Sequence, residues 1–199
     1  MKQLLHVGCG QSRKINTTAG FNNPNWNEIR LDIDSGAEPD VIGTMTNMKA
    51  IPSESVDAIF SSHNIEHLYA HEVPVALSEF LRVLKNDGFA VVTCPDLQSV
   101  CQLIAQGKLI EPAYMSSAGP IAPIDLLYGH RPLMAKGNLF MAHRCGFTYD
   151  VLMDSLLASG FQSVAGFARP SDFDLWAIAS KSPLSRNEMK LLADSHFPS

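Results

Sequence analysis

The first groups on this chain with clear chemical potential are two glycines and a carboxylate. Leu4-Leu5-His6-Val7-Gly8-Cys9-Gly10 is a short apolar run that breaks into glycines. A second apolar run, Arg30-Leu31-Asp32-Ile33-Asp34, ends in carboxylates. Laid side by side as strands of an open α/β sheet, the two runs bring their C-terminal ends to one edge. There the glycines let a ligand approach the backbone closely, and a carboxylate accepts hydrogen bonds from a ribose diol. The pattern fits a nucleoside-bearing cofactor, with Asp32 as the ribose anchor and Asp34 as its rival. Two further stretches, Tyr128-Gly129-His130-Arg131 and His143-Arg144, set imidazole beside guanidinium. Such a pair suits an anionic ligand, because Arg grips a carboxylate or phosphate in a fixed fork. Glu66 and His67 read as capping or packing residues.

These groups need a scaffold, and the chain alternates in the way that builds one. Strands are expected at about 3–7, 28–32, 40–43 and 56–61. Between the first two, Asn16 to Asn25 is rich in turn formers and is closed by Pro24, so the usual connecting helix is expected to be short or missing. From Val73 to Leu84 the apolar residues Val73, Ala76, Leu77, Phe80, Leu81 and Leu84 recur at helical spacing. Asn86-Asp87-Gly88 reads as a turn into a buried strand, Phe89 to Cys94. Asp96 can cap a helix running to about Gly107, and Thr148 one running to Ala158. Strands at 161–168 and 172–180 close the pattern as an antiparallel hairpin. Strands alternating with helices imply an α/β fold with a mainly parallel sheet and helices on both faces.

Residues 108–147 break this alternation with four prolines and four glycines. They also carry Tyr114, Met115, Met134, Phe140, Met141 and Phe147, which is too apolar for a disordered segment. An ordered lid that builds a substrate pocket is expected here. The domain reading is one unit over 1–182 containing this insert, followed by a polar tail, 183–199, with a helix near 184–194.

Composition narrows the partners. The chain has 199 residues, 46% of them apolar, and a net charge of −5. Its basic residues are scattered, which argues against nucleic acid or an anionic membrane as the main partner. No apolar run has the length needed to span a bilayer, and the N-terminus does not read as a secretory signal. Cys9, Cys94, Cys101 and Cys145 form no C-x-x-C pair, and His6 with Cys9 makes no metal site, so no metal is expected. Free thiols of this kind fit a reducing cytoplasm. The open sheet edge expected from this layout is one that a second copy of the chain could cover.

The ordered set of segments resembles the class I S-adenosylmethionine-dependent methyltransferases, of the type 11-like group. The matching stretches are Val7 to Gly10, Leu31-Asp32-Ile33, Ser55 to Leu68, Glu79 to Gly88, Cys94 to Leu97, and Ser159-Gly160-Phe161. The resemblance implies a Rossmann-like sheet of seven strands with the last antiparallel. It implies S-adenosylmethionine as cofactor and a small-molecule acceptor. Gly8, Cys9 and Gly10 would meet the methionine portion, and Asp32 with Ile33 the ribose. Met45 and Thr46 would lie near adenine, and Ser62 and His63 on the sulfonium side. Three departures stand out: Ser12 holds the place of a third glycine, Thr44 that of an acidic residue, and no helix precedes the first strand. The cover over the cofactor is therefore expected from 108–147.

Methyl transfer from a sulfonium is an in-line displacement that needs alignment and exclusion of water. A base is required only for a hydroxyl or a protonated amine acceptor. His63, His130 and His143 are the candidate bases, and Tyr128, Arg131 and Arg144 the candidate contacts to an anionic acceptor. Two alternatives share the same motifs: a cyclase or lyase that uses the same cofactor, and a non-catalytic module that binds it. A nicotinamide-dependent dehydrogenase is disfavoured by the missing third glycine.

Overall fold

The computed structural model describes residues 1–116 and 118–198. The strands that carry the glycines and the carboxylate are β1 (Lys2–Val7) and β2 (Trp26–Asp32), which pair in parallel. β3 (Val41–Ile42) flanks β2, and β4 (Val56–Ser62) flanks β1 on its other side. After α1 (Val73–Val83), the long strand β5 (Leu84–Pro95) lies parallel to β4. α2 (Leu97–Ala105) leads into the irregular segment. There β6 (Tyr114–Ser116) and β7 (Gly119–Ile121) form a separate small hairpin, and α3 (Pro123–Tyr128) and α4 (Arg131–Ala135) follow. The chain ends with α5 (Tyr149–Ala158), β8 (Ser163–Arg169), β9 (Asp174–Ser180) and α6 (Arg186–His196). The seven-stranded sheet runs in the order β3-β2-β1-β4-β5-β9-β8, and β9 is antiparallel to both its neighbours.

Alternation along the strands separates two cores. Leu5, Val7, Ile59, Ala90 and Val92 face α1 and α5, where Val73, Leu77, Phe80, Leu152 and Leu156 meet them. Each such fully buried large side chain stabilises the fold by roughly 1.5–3 kcal/mol. Leu4, Ala58, Phe60, Phe89, Val91 and Ile178 face the other way. The β1–β2 connection does lack a full helix, holding only a 3-10 turn at Lys14–Asn16. Lys14 pins it by donating through Nζ to the carbonyls of Asn23 and Trp26. Phe21 and Trp26 then cover part of the second face, and α6 covers the rest through Met189, with Leu192, Ala193 and Phe197 beside it.

The helix expected near 184–194 forms as α6, capped by Ser185 with Glu188 completing the box, and it packs on the sheet. Two local expectations need correction. Asn86-Asp87-Gly88 lies inside β5 as a bulge, since β4 advances from Val56 to Ala58 while β5 advances from Leu84 to Phe89. Thr148 stands at the start of α5 but makes no side-chain capping bond, whereas Asp96 accepts from the Gln98 amide as a cap should.

Within the described residues of 108–147, Ile121 and Leu126 pack with Val100 of α2 in a small core of their own. The return of the insert to the sheet depends on Gly129. That residue has φ +98° and bridges to Ala142, and a Cβ there would lie 1.9 Å from the Met141 carbonyl oxygen.

Candidate functional site

A cleft of about 660 Å³ opens at the C-terminal ends of β1, β2 and β4. Gly8, Gly10, Asp32, Ile33, Met45, Thr46 and His63 all line it, so most of the expected cofactor residues share one cavity. The insert supplies the opposing wall through Leu133, Asn138, Phe140, Met141 and Arg144. Cys9 and Ser62 do not line it. The Cys9 side chain is buried, which pushes its thiol pKa up, and Ser62 Oγ is bonded to Thr93 Oγ1 at 2.8 Å.

The amides of the glycine loop are satisfied within the protein. Gly8 and Cys9 donate to the Leu31 carbonyl at 2.8 and 3.3 Å, and Gly10 donates to Asp32 Oδ2 at 2.7 Å. Asn64 holds the other side, with Nδ2 donating to the carbonyls of Val7 and Gly8. A Cβ on Gly10 would meet nothing within 4 Å, so this residue gives a ligand its nearest approach to the backbone.

Arg30 braces the loop that carries Ser12. Its side chain is buried in β2, and its guanidinium donates to the carbonyls of Gly10, Ser12, Ala37 and Glu38. One planar fork thus fixes the loop after β1 and the loop after β2 relative to each other. Asp32 is 8% exposed; Oδ1 accepts from the Asp34 amide at 2.8 Å, and one edge of the residue still faces the cleft. Asp34 lines the cleft as well, and its Oδ1 accepts from the Gly36 amide to cap a short turn.

Past β4, His63 adopts φ +51°, a left-handed conformation uncommon for a non-glycine residue and typical of functional turns. Its Nδ1 stands 3.6 Å from Glu66 Oε1. Partial desolvation by the cleft walls opposes its positive charge, but the Glu66 carboxylate outweighs this and raises the His63 pKa. Glu66 is 1% exposed, and neither of its oxygens has a hydrogen-bond partner among the described residues. Burial alone would raise its pKa, yet the imidazoles of His63, His67 and His143 hold it low. The His143 pKa is lowered by burial. The backbone builds this cluster directly: the amides of Arg144 and Cys145 donate to the Glu66 carbonyl, which draws 143–145 onto 66–67.

The remaining expected contacts divide. Arg144 lines the cleft, with its guanidinium 4.9 Å from the centre of the Tyr69 ring, a cation–π stack that leaves donors facing outward. Arg131 is turned away and held by Asp125, Nε to Oδ1 at 2.6 Å. Tyr128 is exposed and lies off the cleft, as does His130, whose ring nitrogens are buried without partners among the described residues. His143 sits behind the wall, its Nδ1 on the Leu126 carbonyl at 2.8 Å. Asn64, Arg30 and Glu66 escaped the sequence reading as site residues. A charged residue inside an apolar strand was the one available signal for Arg30.

Comparison with known proteins places this geometry. The family model of the methyltransferase domain matches residues 5–92. No curated protein matches the chain. Among solved structures, an S-adenosylmethionine-dependent methyltransferase from Thermotoga maritima superposes with a TM-score of 0.59 at 17% identity, covering 92% of this chain and 83% of its own. The 1,6-didemethyltoxoflavin-N1-methyltransferase of Burkholderia thailandensis, with 1,6-didemethyltoxoflavin and S-adenosylhomocysteine bound, gives 0.56 at 14% identity, with 92% and 72% covered. An Archaeoglobus fulgidus S-adenosylmethionine-dependent methyltransferase gives 0.56 at 15% identity, with 89% and 85% covered. At these identities the likeness speaks for the fold. The family match itself covers residues 5–92, and across the chain the fold is that of S-adenosylmethionine-dependent methyltransferases.

Proposed function

We propose that the cleft binds S-adenosylmethionine and that the protein transfers its methyl group to a small-molecule acceptor. The observation that carries this reading is the convergence of Gly10, Asp32 and His63, from three different strand ends, on one cavity of ligand size. Asp32 and Ile33 would hold the ribose, Met45 and Thr46 the adenine, and the Gly8–Gly10 turn the methionine portion. The cofactor supplies an electrophilic methyl group. The protein's part is then to align the acceptor and keep water out, which the apolar insert wall of Leu133, Phe140 and Met141 favours. His63 is the titratable side chain on the wall beside the glycine turn, placed to take a proton from a hydroxyl or ammonium acceptor. Arg144 offers its outward donors to an anionic group on that acceptor. In this reading the protein works in the cytoplasm, where its four free cysteines stay reduced.

Calorimetric titration with S-adenosylmethionine and S-adenosylhomocysteine tests the reading, beside an Asp32→Asn variant. The expected result is micromolar binding that the variant weakens by about tenfold or more. A folded wild-type protein that binds neither compound would sink it. Product analysis then separates methyl transfer, which yields S-adenosylhomocysteine, from lyase chemistry, which yields methylthioadenosine.

A further inference from the structure

Glu66 presents an unusual balance of charge. A carboxylate this deeply buried without a hydrogen bond is costly unless a cation or a set of donors faces it. The groups around it are not arranged as donors. His67 Nδ1 lies 3.1 Å from the Ala142 carbonyl oxygen, and His143 Nδ1 lies 2.8 Å from that of Leu126. Each carbonyl can only accept, so each imidazole carries a proton on Nδ1, and in its neutral form offers the Nε2 lone pair to a metal. Backbone carbonyls that fix the tautomer in this way are the usual outer support of metal-binding histidines. The two rings stand edge to face with centroids 4.8 Å apart, and one ligand atom from each of Glu66, His67 and His143 falls within 4.8 Å of the others.

We propose that Glu66, His67 and His143 bind a single divalent first-row transition-metal cation, zinc above all, beside the cleft. Two imidazoles and one carboxylate are a borderline-soft set that suits zinc better than magnesium or calcium. Bond lengths of about 2.0–2.2 Å put neighbouring ligand atoms roughly 3.3 Å apart. Metal binding therefore requires the three side chains to draw together by up to about 1.5 Å. His63 also faces Glu66, its Nδ1 3.6 Å from Oε1. His67 lines the cleft, so a metal held by its ring would lie next to the cleft wall. An acceptor hydroxyl bound there would lose its proton more readily. That role rests on the methyltransferase reading, whereas metal binding itself does not.

The test uses the purified full chain, freed of metal by a chelator. Zinc chloride is titrated by calorimetry, and cobalt(II) is followed by its visible absorption. The expected result is one equivalent of zinc, a tetrahedral cobalt spectrum, and a rise in melting temperature with zinc. His67→Ala, His143→Ala and Glu66→Gln should each weaken binding by about tenfold or more. If Glu66→Gln fails to fold, the two histidine variants decide. A wild type that binds no stoichiometric zinc overturns the proposal, and so does zinc binding unchanged in both histidine variants. The first result would mean that Glu66 is balanced by the surrounding imidazoles without a metal. A parallel titration with S-adenosylmethionine keeps the two readings apart: cofactor binding without zinc binding removes only the metal site, and the reverse removes only the cofactor reading.

Discussion

Gly8 and Asn64 share one volume. A Cβ built on Gly8 would stand 1.9 Å from Asn64 Nδ2, and that same nitrogen donates to the carbonyls of Val7, Gly8 and Ser62. Gly8 also has φ +62°, where a side chain is strained in any case. Gly8→Ala should therefore cost about 2 kcal/mol or more. Asn64→Ala should cost about 1–2 kcal/mol from lost hydrogen bonds. The double variant should be less destabilised than the sum, because removing Asn64 relieves the clash. Denaturant unfolding of the four proteins reads this coupling. Strict additivity would show that the two side chains do not compete.

Arg30 gives a second prediction. Its guanidinium serves four carbonyls on two loops, and no surface rearrangement can replace it. Arg30→Met should lower stability by roughly 3–5 kcal/mol, because buried acceptors lose their donors. Arg30→Lys should recover little of this, since a point-like ammonium cannot reach four acceptors on two loops at once. Thermal melting of the three proteins is the measurement, and full rescue by lysine would refute the forked geometry as the cause.

His196 makes stability depend on pH. Its ring is buried against Phe21, with Nδ1 2.6 Å from Thr18 Oγ1, and burial holds its pKa down at about 4. The unfolded chain titrates near the ordinary value of about 6.5, so between these values the unfolded state binds more protons. Stability is then fully present above about 6.5, falls as the pH drops toward 4, and levels off below. The loss amounts to roughly 3 kcal/mol over that window. His196→Gln should flatten this part of the profile. Unfolding measured at both ends of the window compares the slopes, and equal slopes would show that His196 is not responsible.

Gly20 tests how α6 docks. A Cβ there would lie 2.5 Å from the His196 ring, and the Gly20 amide donates to the Ser195 carbonyl at 2.9 Å. Gly20→Ala should loosen α6 and leave the opposite face of the sheet intact. Limited proteolysis should then cut within or before Arg186–His196 faster than in wild type. An unchanged cleavage rate would mean that the helix is held by Met189 and its neighbours alone.

Much of this was legible in the sequence, for physical reasons that differ by element. α1 announced itself because an amphipathic helix on a sheet must repeat apolar residues at its own period, and Val73 to Phe80 do so. The glycine turn and Asp32 were legible because strand ends in a parallel sheet fall on one edge. The turn formers of 16–25 correctly indicated a missing helix, since nothing there sustains a helical ladder. What stayed hidden was long-range. Nothing local links His143 to Glu66, which meet through backbone bonds from 144 and 145 to residue 66. Arg131 looked like an open grip for an anion until the fold placed Asp125 against it. The polar residues of 183–199 concealed Met189, one buried anchor among exposed neighbours.

The substitution of α6 for a β1–β2 helix has a kinetic consequence. In an ordinary α/β unit the covering helix lies between the strands it protects, so the cover forms through short loops. Here the apolar face of Leu4, Phe60 and Phe89 waits for residues more than half a chain away. Closing so long a loop costs entropy before any contact repays it, and such distant contacts slow folding. The side of the sheet under α1 should therefore consolidate first. The aromatic face would remain an adhesive surface during synthesis until α6 has been made, and premature association would begin there.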